Sequence, residues 1–573
     1  MMEKRVLIAI ILSLAVLLLW QALFPAPKPK KTTEILPEQQ QQDALLPEQV
    51  PPPEERVQKA EATPSSIPPP QPDRSSLPPE REIVVTTDLY RATFSSHGAC
   101  LKQFELLRYK NKQKLPAICF IFPFSLLYGE KQLYQDISYK ELIGSDDMEG
   151  CPLQTSLKGA DGISQPAIFT ADVGFLELDE NNQQGTVSFS GSSQEGVTLT
   201  KQFTFFNDSY YIDYEFALEN SSSMPTEIQP AVGWPQAVRQ EAQKKSGGFF
   251  GGGMGGDIQQ FSYLIGDTLN RTEIKDIEEN KTFTGDIKWS GFEEKYFISA
   301  LIPYEEEDLR LWLFKPQNGE VAYQLGFPST NALPQNQNTF LSSVYLGPKD
   351  LNYLEKGQGE LGRVVSFGFF DPVAKPMLFI LNLFYKFIPN YGLAIIFLSL
   401  GIKAIFWPLT HKSQKSMKEM QKIQPKIAEL KEKYKDNKEE LNRKTMEFYK
   451  TNKVNPLGGC LPILIQIPVF FALYRVLLNS IELRHASFIS FWINDLAAKD
   501  PTYVSPLLMG ASMFLQQKMT PTVGDPAQAK IMLVMPIMFT FMFLSFPSGL
   551  VIYWLISNVL SIVQQYYINK QSS

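Results

Sequence analysis

The residue types that make and break covalent bonds are few in this chain and poorly placed for one another. Its three histidines are His97, His411 and His485. The hydropathy pattern puts two of them on one side of a membrane and one on the other, so they cannot share a metal. Cys100, Cys119 and Cys151 fall in one segment and Cys460 in an apolar run. Three cysteines together leave at least one thiol free, and a disulfide between any two of them stays unassigned. No nucleophile elbow and no Cys/His metal spacing is present. The run GGFFGGGMGG at 247–256 lacks the Lys-Ser/Thr ending of a phosphate loop, and GQGELG at 357–362 has neither a leading strand nor a following helix. Covalent catalysis, a metal and an organic cofactor are therefore not expected; the chain does not read as an enzyme.

The chemistry that the sequence does offer is non-covalent and lies in apolar runs. Lys403 sits inside the run 391–409. A charge there costs roughly 2.5–3.5 kcal/mol on insertion scales, which makes it a functional candidate. Either its stem snorkels to the interface, or its ammonium lines a wet groove about 9 Å above the inner end of the helix. Ser399, one turn earlier, shares its face. Gln466 in ILIQIPVFF and Asn558 in LISNVL are polar residues in mid-run. Each needs a partner away from lipid, in a groove or as helix-to-helix glue.

These residues must be positioned by apolar helices, and the composition shows several. The chain has 573 residues, 44% apolar and 20% charged, with net charge -6. Apolar runs at 6–24, 391–409, 457–478, 503–519, 531–546 and 549–566 predict six spans. The first follows Lys4-Arg5 and ends in Trp20, Phe24 and Pro25 rather than small residues, so an uncleaved anchor fits better than a signal peptide. The run 531–546 is short, about 24 Å against a hydrocarbon core of roughly 30 Å, and would thin the bilayer.

Charge orients the whole. Residues 411–456 carry 13 Lys/Arg against 7 Asp/Glu, whereas 6–402 carry 32 against 48. Basic short segments stay inside and acidic domains cross freely. With six spans both termini lie in the cytoplasm, and the basic segment falls inside. Residues 412–453 show apolar positions at helical spacing and predict a helical hairpin, turning at Asp436-Asn437, with Pro425 as a kink. Its cations Lys415, Lys418, Lys422 and Lys426 suit either a solvated spacer or a docking arm for an acidic partner.

The rest divides by composition into an anchor (1–24), a tether, a β domain, an interfacial amphipathic helix (366–390) and a core (391–570) holding five spans and the hairpin. Residues 25–81 form the Pro- and Gln-rich tether, unable to bury a core. Residues 82–365 alternate apolar and polar, as in GVTLTKQFTFF at 196–206, and predict a two-sheet sandwich. The fold class is thus multi-domain: an α-helical polytopic membrane bundle plus an external all-β domain.

Residues 403–568 resemble the YidC membrane protein insertases of the YidC/oxidase-assembly family. Trp407-Pro408-Leu409-Thr410, KTNKVNPLGGCLPILIQIP at 450–468, Phe471–Tyr474, Leu496–Pro501, Gln517–Pro521 and FPSGLVIY at 546–553 carry the likeness. Anchor, tether and β domain resemble the Gram-negative type, with a periplasmic β-supersandwich. The resemblance implies an inner-membrane insertase and chaperone for nascent membrane proteins. It would act alone or with the Sec translocon, or for substrates brought by the ribosome and signal recognition particle, and would use no nucleotide. It implies a hydrophilic groove open to cytoplasm and lipid. A family Arg precedes the aromatic-Pro-Leu-Thr motif, and here Lys403 keeps its charge but not its bidentate fork. Trp554 stands where the family often has Tyr. Lys403, Ser399, Gln466, Trp554 and Asn558 are then the expected groove. Apolar substrate segments would leave into lipid past Ile463, Ile467, Phe471, Met535 and Phe539, driven by transfer free energy. Two other readings compete: a transporter or channel, which calls for internal repeats that are not evident here, and an envelope carbohydrate-binding scaffold with a membrane foot.

Overall fold

The computed structural model describes residues 79–571 apart from 113, 122–137, 145–149, 160–167, 193–195, 239–258, 305–306, 318, 436, 453–460 and 521–525. The anchor at 6–24, nearly all of the tether, the glycine run at 247–256 and Cys460 lie outside the described residues.

Alternation builds the β domain. Val197–Phe206 buries every second residue, and pairs antiparallel with Tyr211–Asn220, where Phe203 stacks on Tyr214 at 4.9 Å. A nine-stranded sheet runs from Thr268–Glu273 at one edge to Thr170–Ala171 at the other. Trp234 and Trp289 are fully buried in the shared core. The two-sheet expectation is corrected: there are three sheets, of five, nine and six strands. A twisted sheet rarely grows past roughly ten strands without splitting, and here the remaining strands form separate layers. The GQGELG stretch serves packing. A Cβ on Gly357 would lie 2.2 Å from the Tyr211 ring, and Gly359 has φ +75°.

Cys100 and Cys151 form a disulfide, closing a sequence separation of 51, and Cys119 is the free, buried thiol. Lys201 is wholly buried beside this bridge. Its Nζ donates to the carbonyls of Gly98 (2.8 Å), Ala99 (3.3 Å) and Leu153 (2.9 Å), so it ties together the segments that carry the two sulfurs. Burial pulls its pKa down to about 7. Reducing the bridge is expected to destabilise the domain by about 4 kcal/mol on the loop-entropy relation. Urea unfolding of the full chain in detergent, followed by tryptophan fluorescence with and without reductant, measures this. An unchanged midpoint would show that the bridge adds nothing.

The helical part starts at α1 (Asp371–Phe387), which buries Ala374, Met377, Leu378 and Leu381 and turns Phe379, Leu383 and Phe387 outward. Helix α2 (Tyr391–Lys433) corrects the sequence reading in one respect. The run 391–409 and the first arm of the hairpin are one helix of 43 residues, about 64 Å long. Pro408 and Pro425 lie inside it without ending it. Helix α3 (Lys438–Thr451), capped by Asn437, returns along α2, and Met420 and Ile427 are buried against Phe448 and Tyr449. Then follow α4 (Leu461–Asn479), α5 (Val504–Met519), α6 (Pro526–Phe543) and α7 (Ser548–Gln571). Helix α6 begins five residues before the apolar run and has 18 residues, about 27 Å. The apolar part of this helix stays short, Leu533–Phe543, because the helix ends at Phe543 and gains only residues 526–530 ahead of the apolar run. Among the described residues, two helices pass a length-and-hydropathy test for spanning, Tyr391–Lys433 and Ser548–Ile568, while α4 and α6 carry shorter apolar stretches.

The β domain sits on the loop after α4. Arg484 donates to the carbonyls of Lys110 (2.7 Å) and Asn111 (3.1 Å) and lies over the rings of Tyr296 and Phe297. Asn494 donates to the Lys114 carbonyl, Ile118 N to that of Phe491 at 3.0 Å, and Ile481 joins the β-domain core.

Candidate functional site

Helices α2 and α7 pack side by side in constant register. Gly549 packs on Ile395, and Thr410 meets Gln564; both pairs are separated by 154 in sequence, so the helices run parallel. At that offset Ser557 lies level with Lys403. Yet the Lys403 ammonium donates to Ser561 Oγ at 2.6 Å, one turn further on. The stem thus leans about 6 Å toward the hairpin end of the pair.

Beside Lys403, α4 walls a small cavity that is partly open to its surroundings. Its polar lining is Lys403, Thr410, Gln466, Tyr553 and Ser557, and its apolar wall includes Ile402, Phe406, Ile465 and Val469. The Tyr553 hydroxyl is buried beside Gln466 and Ser557 without a well-formed hydrogen bond to either. Among the described residues no carboxylate pairs with Lys403, and no cluster of His, Cys, Asp or Glu is of a size to hold a metal. The arrangement supplies one positive charge, hydroxyls and an amide in a small, partly apolar chamber. That set suits a polar or acidic segment.

Two family models match the chain: the YidC periplasmic domain over residues 82–380, and the 60Kd inner membrane protein over 383–573. A protein of Syntrophus aciditrophicus called membrane protein insertase YidC is 41% identical over all of both chains. One of the same name from Geobacter sp. strain M21 is 40% identical over 86% of each. The chain belongs to the YidC membrane protein insertase family. A crystal structure of an active YidC insertase with its first transmembrane domain resolved matches 86% of this chain and 93% of its own, at 19% identity and a TM-score of 0.36, a likeness too loose to add to the fold.

The structure sorts the residues expected for the groove of a YidC protein. Lys403 and Gln466 line the cavity. Ser399 does not: it is buried and its hydroxyl donates to its own helix, to the Ile395 carbonyl at 2.7 Å. Trp554 does not either. It lies about 100° around α7 from Tyr553, in an aromatic cluster with Phe470, Phe539 and Phe543. Asn558 donates to Ser512 Oγ of α5 at 3.0 Å and serves as helix-to-helix glue. Of the residues expected along the exit into lipid, Ile467 and Met535 are exposed, Phe471 stacks on Phe370, Phe539 stacks on Trp554, and the Ile463 side chain lies outside the described residues. On the hairpin Lys415, Lys422 and Lys426 are exposed and Lys418 is half-buried.

Sequence reading missed Thr410, Tyr553, Ser557, Ser561 and Gln564. A signal was available. On α7 the last four recur at intervals of four, four and three, one polar stripe along the helix.

Proposed function

We propose that this YidC-family protein inserts membrane proteins by holding a polar segment of a nascent chain in the Lys403 cavity while the adjoining apolar segment passes into lipid. The observation that carries this is a half-buried ammonium with only a hydroxyl for company. Such a charge is retained against its desolvation cost where a substrate of opposite charge visits it. Gln466, Tyr553 and Ser557 offer bonds to peptide groups that have shed water, and the outward-facing Ile467 and Met535 offer an apolar path. Six spans place the β domain in the periplasm and both termini and the hairpin in the cytoplasm of an inner membrane. Lys415, Lys418, Lys422 and Lys426 then face the ribosome and the signal recognition particle pathway, and the Sec translocon is a lateral partner. No nucleotide or cofactor enters this scheme.

Proteoliposomes holding the purified protein are expected to insert a small two-span substrate with an acidic tail, without nucleotide and without ion leak above empty vesicles. Ion or solute flux with no insertion would sink the proposal in favour of a channel.

A further inference from the structure

We propose that Thr410 and Gln564 form a clasp that closes the Lys403 cavity on its hairpin side and must part before a polar segment can enter. The inference rests on the insertase reading of that cavity.

Thr410 is the lining residue furthest along α2 toward the hairpin. Gln564 Nε2 donates to its hydroxyl at 3.0 Å, and that hydroxyl can in turn donate to the Phe406 carbonyl at 3.0 Å. Gln564 is 1% exposed, and Thr410 is its partner in the structure. The α2–α7 seam is thus apolar at Ile395–Gly549 and polar at Lys403–Ser561 and Thr410–Gln564, the last lying next to the hairpin. A neutral bond of this kind exchanges for one to an incoming peptide group at little net cost. An apolar seam at the same place would offer the guest nothing in return.

The backbone is weak beside the clasp. Pro408 lies inside α2 two residues before Thr410. It has no N–H to give the carbonyl four residues back, so the helix bends there more readily than elsewhere. Beyond Thr410 the same helix runs on to Lys433, a lever of about 35 Å. Force on the hairpin is therefore delivered at Thr410, the residue that holds the clasp.

The test uses the full chain in proteoliposomes, with Cys119→Ser and Cys460→Ser removing the native thiols. Thr410→Cys and Gln564→Cys are joined by a short, reducible bis-methanethiosulfonate cross-linker. The joined form is expected to insert substrate at least about tenfold more slowly than the same double-cysteine chain never exposed to the cross-linker, a comparison that leaves the Cys100–Cys151 bridge intact. Insertion by the joined form at the rate of the unjoined form would overturn the clasp. Independently, Gln564→Leu is expected to speed labelling of Ser557→Cys by a membrane-impermeant maleimide applied from the hairpin side. Unchanged labelling would overturn the closure even if the double variant folds poorly. Lys403→Ala separates the two ideas. Normal insertion by that variant removes the insertase reading of the cavity, whereas normal insertion by the joined form removes the clasp alone.

Discussion

Lys403→Ala is expected to insert substrates with acidic external tails about tenfold more slowly than the parent chain at matched protein level, a barrier change of about 1.4 kcal/mol. The ammonium is half-buried, has no carboxylate partner among the described residues, and bonds a neutral hydroxyl at 2.6 Å. Its cost in the apolar helix is offset only when an anion arrives. Lys403→Arg should keep most of the activity, because the role needs a point charge that reaches Ser561 and not a fork. Lys403→Glu should be the worst, since it repels the tails it must hold. The deficit should grow with the number of acidic residues in the tail. A snorkelling lysine would behave otherwise: its removal would leave insertion intact and the protein no less stable. Normal insertion of acidic-tailed substrates by Lys403→Ala would therefore end the proposal.

The largest expected stability effect lies in the β domain. Glu293 is buried between Lys349 (2.8 Å), Arg271 (2.9 Å) and the Ser262 hydroxyl (2.8 Å). Burial pushes its carboxyl up, but Lys349 and Arg271 together outweigh it and hold it down at about 2. Lys349 gains less: burial lowers its pKa by more than Glu293 restores. Glu293→Ala leaves two cations without their anion and is expected to cost about 3–5 kcal/mol. The pH dependence follows in sign. The depressed carboxyl stabilises the fold above the unfolded value near 4.5, and that contribution is lost as pH falls from there through about 2. Glu293→Gln should flatten the stability curve across that window. Urea midpoints of the parent and Glu293→Gln at pH 7, 4 and 2.5 measure it, and parallel losses in the two would sink the assignment.

What the sequence made legible follows from which signals are local. Strand alternation at 196–206 survives without any partner being known, and a lysine in an apolar run stands out alone. Gln466 was visible for the same reason. Ser399 and Asn558 were equally conspicuous, but their partners, the Ile395 carbonyl and Ser512, are revealed only by geometry. Trp554 was chosen from the family's pattern, whereas the rotation of α7 turns its neighbour Tyr553 to the cavity. The stripe Tyr553, Ser557, Ser561 and Gln564 went unread because serines satisfy themselves within helices so often that their spacing, not their presence, is the signal. Lys201 and Glu293 stood out only in the fold, where each is buried among partners distant in sequence. The pairing of Cys100 with Cys151 and the division into three sheets depend on contacts between distant segments, which no local pattern encodes.

The seam between the β domain and the loop after α4 has a consequence in time. Arg484 bonds a carbonyl 374 residues earlier in the chain, and Asn494 one 380 residues earlier. At synthesis rates of about 5–20 residues per second, roughly 20–75 s separate the making of the two sides. The last strand of the β domain ends at Pro348, so that domain can complete its sheets well before Arg484 exists. Every newborn copy therefore lives for roughly 7–27 s as a domain with complete sheets whose Tyr296–Phe297 edge still lacks Arg484. The seam closes last, and its closure marks the moment at which the molecule comes of age.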